Sequence, residues 1–106
     1  MSTKIGTEDD VGVIDRVKEE KAPPPQMYDV IMHNDDFNPM DFVTWVLRDH
    51  FNKTLEQASQ LMLKVHHEGT AVAGTYSKDV AATKIDRAMD EAKKAEHPFQ
   101  LTMEPR

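Results

Sequence analysis

The chain has 106 residues and a mass of 12.1 kDa, room for one small domain. Acids outnumber bases 19 to 13, and the formal charge of −6 argues against a nucleic-acid or anionic-membrane surface. With no cysteine, disulfides, thiolate zinc sites and a cysteine nucleophile are excluded. No apolar run is long enough to span a bilayer, and residues 1–26 lack the apolar stretch of a signal peptide. The expectation is a soluble, cytoplasmic domain whose partner is not a polyanion.

Residues 1–26 carry six acids and four bases, few apolar side chains and no aromatic one. Such a segment buries too little surface to offset its conformational entropy, so it is predicted to be a disordered extension. Val13, Ile14 and Val17 could still form one transient helical face. Pro23, Pro24 and Pro25 supply a stiff, extended spacer, and the folded domain is expected over residues 27–106.

Met27–His33 is rich in β-formers and has no breaker, which predicts a strand. Asn34, Asp35, Asp36 and Phe37 form a turn cluster. Asn38 is placed to cap a helix that begins at Pro39, with Asp41 in the first turn. That helix carries Phe42, Val43, Val46, Leu47 and Phe51 at helical spacing. Thr54 and Gln57 make a capping box for a second helix bearing Leu55, Ala58, Leu61, Met62 and Val65, and Gly69 stops it. Thr70–Tyr76 reads as a short strand. Ser77 is placed to cap a third helix with Val80, Ala81, Ile85, Ala88, Met89 and Ala92 inward. His97-Pro98 ends that stretch, and Phe99–Met103 makes the last strand. The order β-α-α-β-α-β predicts a two-layer α+β domain, with three helices packed on one small sheet.

Three features could carry chemistry. Asn34 and Asp35 follow a strand end, and their simplest role is in the turn. With Asn38 assigned to the cap, they are also free to offer acceptors to a ligand. His66 lies four residues after Met62, on one face of the second helix. Its plain role is a histidine suited to a helix C-terminus. The neighbouring His66 and His67 point about 100° apart, which is poor geometry for one metal ion. Met32, Met40 and Met62 come from three elements. Each is individually a core filler, but together, beside Asn34, Asp35 and His66, they could line an adaptable apolar pocket with a polar rim. That combination suits a ligand with an apolar body and a cationic head. Catalysis finds little support, because the four glycines are scattered and no nucleophile-elbow pattern occurs. No cofactor is implied.

Pro24-Pro25-x-Met27-Tyr28-x-Val30-Ile31 and Asn34-Asp35-Asp36-Phe37-x-Pro39-Met40-Asp41-Phe42-Val43 resemble the ClpS adaptor family. So do Ala58-x-x-Leu61-Met62-x-x-Val65-His66 with Gly69, Lys84 in the third helix, and Glu96-His97-Pro98. The resemblance runs from about Pro24 to the C-terminus. It implies a three-stranded antiparallel sheet with three helices, similar to the C-terminal domain of a ribosomal stalk protein. It also implies a non-enzymatic, monomeric adaptor. Such an adaptor binds polypeptides whose free N-terminal residue is Leu, Phe, Tyr or Trp, and passes them to the ATP-dependent ClpAP protease through the ClpA-type AAA+ unfoldase.

On that resemblance Asn34, Asp35 and His66 hold the α-amino group and first peptide unit. The first side chain enters a pocket lined by Met32, Asn38, Met40, Val43, Met62, Val65 and Phe99, with Met40 as a gate against β-branched residues. Asp79 and Lys84 would dock the protease, and the N-terminal extension would assist delivery. Asn38 and Phe99 depart from the family pattern, where threonine and leucine are common. A bulkier Phe99 would shorten the pocket. Two other readings remain open: a generic interaction module of the same fold, and a metal-dependent hydrolase using His33, Asp35 and His66.

Overall fold

A computed structural model describes residues 23–106. The expectations for the extension up to residue 22, including its disorder and its transient helical face, lie outside the described residues. Pro23 to Gln26 are exposed and belong to no helix or strand.

Six elements follow in the predicted order: β1 (Met27–His33), α1 (Met40–Phe51), α2 (Leu55–Glu68), β2 (Thr70–Ser77), α3 (Lys78–Lys94) and β3 (Gln100–Pro105). The strands form one antiparallel sheet in the order β2-β1-β3. Strand alternation explains the central position of β1: Val30 and Met32 are fully buried, while their neighbours Asp29, Ile31 and His33 point to the other face and are half-buried. Opposite β2 the register shifts. Val30 faces Gly74 but Ile31 faces Val72, so Ala73 is an extra residue in a bulge. A Cβ at Gly74 would meet the Tyr76 ring, which would have to swing aside.

The helices pack on one face of the sheet. α3 lies across all three strands and turns Ala81, Ala88 and Ala92 inward, small side chains that let helix and sheet approach closely. α1 packs against α2 and α3, burying Val43, Val46, Leu47 and Phe51. α2 leans on α1 and β2. The predicted inward faces were drawn too wide. Val80 and Leu55 are exposed, and Phe42, Leu61, Met62, Ile85 and Met89 are only half-buried at the edge of the core.

The caps divide. Thr54 and Gln57 form both bonds of the capping box, at 3.1 and 3.0 Å. Gly69 ends α2 with φ 88°, the left-handed conformation that glycine adopts freely. Asn38 does not cap α1. Pro39 occupies that position with an extended ψ of 140°, Met40 is the first helical residue, and Val43 N–H donates to the Pro39 carbonyl. Asn38, which precedes a proline and is therefore held away from helical geometry, turns its side chain inward instead. Ser77, the last residue of β2, stands at the cap position of α3, yet its hydroxyl makes no capping bond. β3 begins at Gln100 rather than Phe99 and continues to Pro105, where pairing with Tyr28 extends the ladder.

Candidate functional site

The end of β1, the start of α1 and one face of α2 enclose a cavity of about 590 Å³. A backbone bond closes its corner: Asn34 N–H donates to the Gly69 carbonyl at 2.9 Å. Gly69 therefore does two jobs, stopping α2 and holding the strand end beside the helix turn that carries His66. The next corner is set by Asp35, whose Oδ1 accepts from Phe37 N–H at 2.9 Å while its carbonyl accepts from Asn38 N–H at 3.2 Å. Phe37 is left 84% exposed at the tip of this turn, beside the mouth.

All ten residues predicted for the pocket and its rim line this one cavity. Asn34, Asp35 and His66 supply the polar groups, and Met32, Met40, Val43, Met62, Val65 and Phe99 the apolar ones, with Asn38 between them. Their burial differs in a way that follows their elements. Met32, Val43, Val65 and Phe99 are buried, Met62 is half-buried, and Met40, on the first turn of α1, is 73% exposed. Phe99 is held by an edge-to-face contact with Phe42, which also makes an edge contact with His97. The turn before it explains the Glu96-His97-Pro98 motif: Glu96 takes φ 61°, and His97 N–H returns to the Ala92 carbonyl at 2.8 Å.

The polar groups are less free than the sequence implied. One oxygen of Asp35 is engaged in the turn, and Asn34 Nδ2 lies 3.4 Å from Asp36 Oδ1. Asp35 Oδ2 accepts no bond among the described residues, and neither does the Asn34 side-chain oxygen. The arrangement thus offers acceptors at the mouth of an apolar cavity. Asn38 Oδ1 is buried without a hydrogen bond among the described residues, a group whose desolvation costs about 1–3 kcal/mol. The hydrolase reading finds no ligand set: no three His, Asp or Glu side chains among the described residues gather to hold a metal ion. His33 Nε2 pairs with Thr102 Oγ1 at 2.8 Å.

Comparison with known proteins decides the family. Residues 23–102 match the family model described as ATP-dependent Clp protease adaptor protein ClpS. The chain belongs to the ClpS family. It is 49% identical over 100 residues to the ATP-dependent Clp protease adapter protein ClpS of Variovorax paradoxus (strain S110), covering 94% of this chain and 83% of that one. Identity to the adapter of the same name from Burkholderia mallei (strain SAVP1) is 47%, covering 94% and 95% of the two chains. A solved structure of Agrobacterium tumefaciens ClpS2 bound to L-phenylalaninamide superposes with a TM-score of 0.75 at 36% identity, over 78% of this chain and 100% of that one. The protein is accordingly an adaptor of a Clp protease and not an enzyme.

As a ClpS chain it carries Asp79 and Lys84 away from the cavity, on α3. Asp79 is exposed in the first turn. Lys84 is half-buried: its Nζ donates to the His50 carbonyl at 2.9 Å, at the end of α1, and lies 5.2 Å from the Tyr76 ring centroid and 6.0 Å from that of Phe51. Burial raises the Tyr76 phenol above its ordinary pKa. No helix among the described residues is long and apolar enough to cross a membrane.

Four lining residues escaped the sequence reading: Asp36, Thr44, Ser59 and Leu63. Spacing carried the signal for three of them. Ser59, Met62, Leu63 and His66 form a stripe along α2, and Thr44 stands one turn after Met40. A broader, shallower depression of about 760 Å³ on the outer side of α1 shares Thr44 but none of the predicted site residues.

Proposed function

We propose that the cavity seats the first residue of a polypeptide with a free N-terminus, which the protein then passes to a ClpA-type unfoldase. The observation that carries this reading is the pairing of unengaged acceptors on Asn34 and Asp35, beside His66, with an apolar wall built from Met32, Met40, Val43, Met62, Val65 and Phe99. An α-ammonium has three donors and a positive charge. Asp35 answers with a charge-assisted acceptor, Asn34 with a carbonyl, and neutral His66 with a ring nitrogen. The structural relative bound to L-phenylalaninamide supports the assignment, since that ligand has a free amino group, an aromatic side chain and an amide where a peptide would continue.

Burial of a Leu or Phe side chain is worth roughly 1.5–3 kcal/mol, a strength suited to handover rather than permanent capture. Met40, exposed at the entrance, would clash with a branch at the ligand's Cβ. Docking to the unfoldase would use the α3 surface around Asp79, with Lys84 holding that surface to the end of α1. The extension over residues 1–26 would then assist delivery.

Titration of the full chain with peptides that begin Phe, Leu and Val tests the reading. Binding of the first two with a loss of about tenfold or more for Val is expected. Equal affinity for all three would refute it.

A further inference from the structure

Thr44 stands on α1 in the cavity wall, and its hydroxyl reaches across the helix interface. Its Oγ1 lies 2.8 Å from the Met40 carbonyl, one turn back, and 2.9 Å from the Met62 sulfur on α2. A threonine hydroxyl has one proton to give, so it donates to one of these acceptors at a time, and it holds the sulfur in the state in which the proton points to Met62. Methionine has three rotatable bonds and a soft thioether, and a wall built from it adapts unless something holds it. The two methionines that flank Thr44 differ in this respect. Met62 is half-buried and its sulfur lies within reach of the hydroxyl, whereas Met40 is 73% exposed and its thioether has no hydrogen-bond partner among the described residues.

We propose that Thr44 is a specificity-determining residue of the pocket: by holding the Met62 thioether it fixes the wall between α1 and α2 and so selects among first side chains. The proposal rests on the reading of the cavity as the seat of a substrate's N-terminal residue. A held wall cannot retreat before a side chain larger than the one it fits, so it disfavours Trp relative to Phe. A released Met62 turns aside and admits the indole. Met40 then governs entry, and Thr44 with Met62 governs size.

The test compares Thr44→Val, which keeps the shape and removes the hydroxyl, with Thr44→Ser, which keeps the hydroxyl. Each full-length variant is titrated with otherwise identical peptides beginning Phe and Trp. Thr44→Val is expected to shift the Phe-to-Trp affinity ratio toward Trp by about threefold or more, the size a neutral hydrogen bond carries, while Thr44→Ser keeps the original ratio. Met62→Leu, which removes the acceptor, should give the same shift, and adding Thr44→Val to it should change nothing further. Phe binding with an unchanged ratio in both Thr44→Val and Met62→Leu overturns the role of Thr44 alone. Failure of the unaltered chain to bind the Phe peptide overturns the reading of the cavity, and this proposal with it.

Discussion

The two ends of β1 treat their polar side chains in opposite ways. At its start, Asp29 Oδ1 accepts from Thr75 Oγ1 at 2.7 Å, and Arg106 reaches both, at 3.4 Å to Asp29 and 2.8 Å to Thr75. The Arg106 backbone N–H adds a bond to the Met27 carbonyl at 2.9 Å. These groups tie the three strands together and satisfy one another. At the other end, Asn34 and Asp35 hold a turn with part of their capacity and keep the rest pointed toward a cavity. Asp29, within the strand, is satisfied by its neighbours, whereas Asp35, just past its end, keeps one oxygen without a partner among the described residues. Polar groups engaged with each other mark structure, and those with acceptors left over at an apolar hollow mark a site.

Exchanging the two aspartates in turn puts that contrast at risk. The largest effect is expected from Asp35→Ala, which removes the charged acceptor for an α-ammonium. Affinity for a Phe-initiated peptide should fall by about ten- to a hundredfold with little change in thermal midpoint. Retained affinity, measured by titration, would dissolve the distinction. Asp29→Ala should do the reverse, lowering stability by about 1 kcal/mol in denaturant melts while peptide affinity stays within about twofold.

A smaller effect sharpens the picture at the α3 surface. Burial raises the Tyr76 phenol, so the folded chain holds that proton more tightly than the unfolded one. The resulting stabilisation is complete below the unfolded value of about 10 and is lost as pH rises through the higher folded value. Tyr76→Phe should therefore show a flatter decline in stability above about pH 10 than the unaltered chain, by a fraction of a kcal/mol because the ring is only half-buried. Parallel declines would show that Tyr76 carries none of the alkaline loss.

Element order was legible because hydrophobic period and breakers are local properties. The capping box at Thr54 and the stop at Gly69 depend on a few adjacent residues, and both form as expected. Asn38 shows where such reasoning ends: Asn-Pro opens a helix equally well with either residue at the cap, and tertiary packing drew the asparagine side chain inward. The pocket residues were legible from the polar motif and the family resemblance. The place of Thr44 in the wall could be read from its spacing to Met40, but its contact with Met62 could not, because that depends on how α1 crosses α2. The same holds for the bond from Lys84, expected to dock the protease, to the His50 carbonyl at the end of α1.

The acidity that first excluded polyanionic partners acquires a local meaning at Asp35 if the proposed function holds, since its charge would then meet a cationic chain terminus. Calorimetric titration of the full chain with one Phe-initiated peptide, free and N-acetylated, addresses that claim most directly. The account predicts binding of the free peptide and a loss of about a hundredfold or more on acetylation, which removes the charge and two donors. Equal affinity for the two peptides would contradict it.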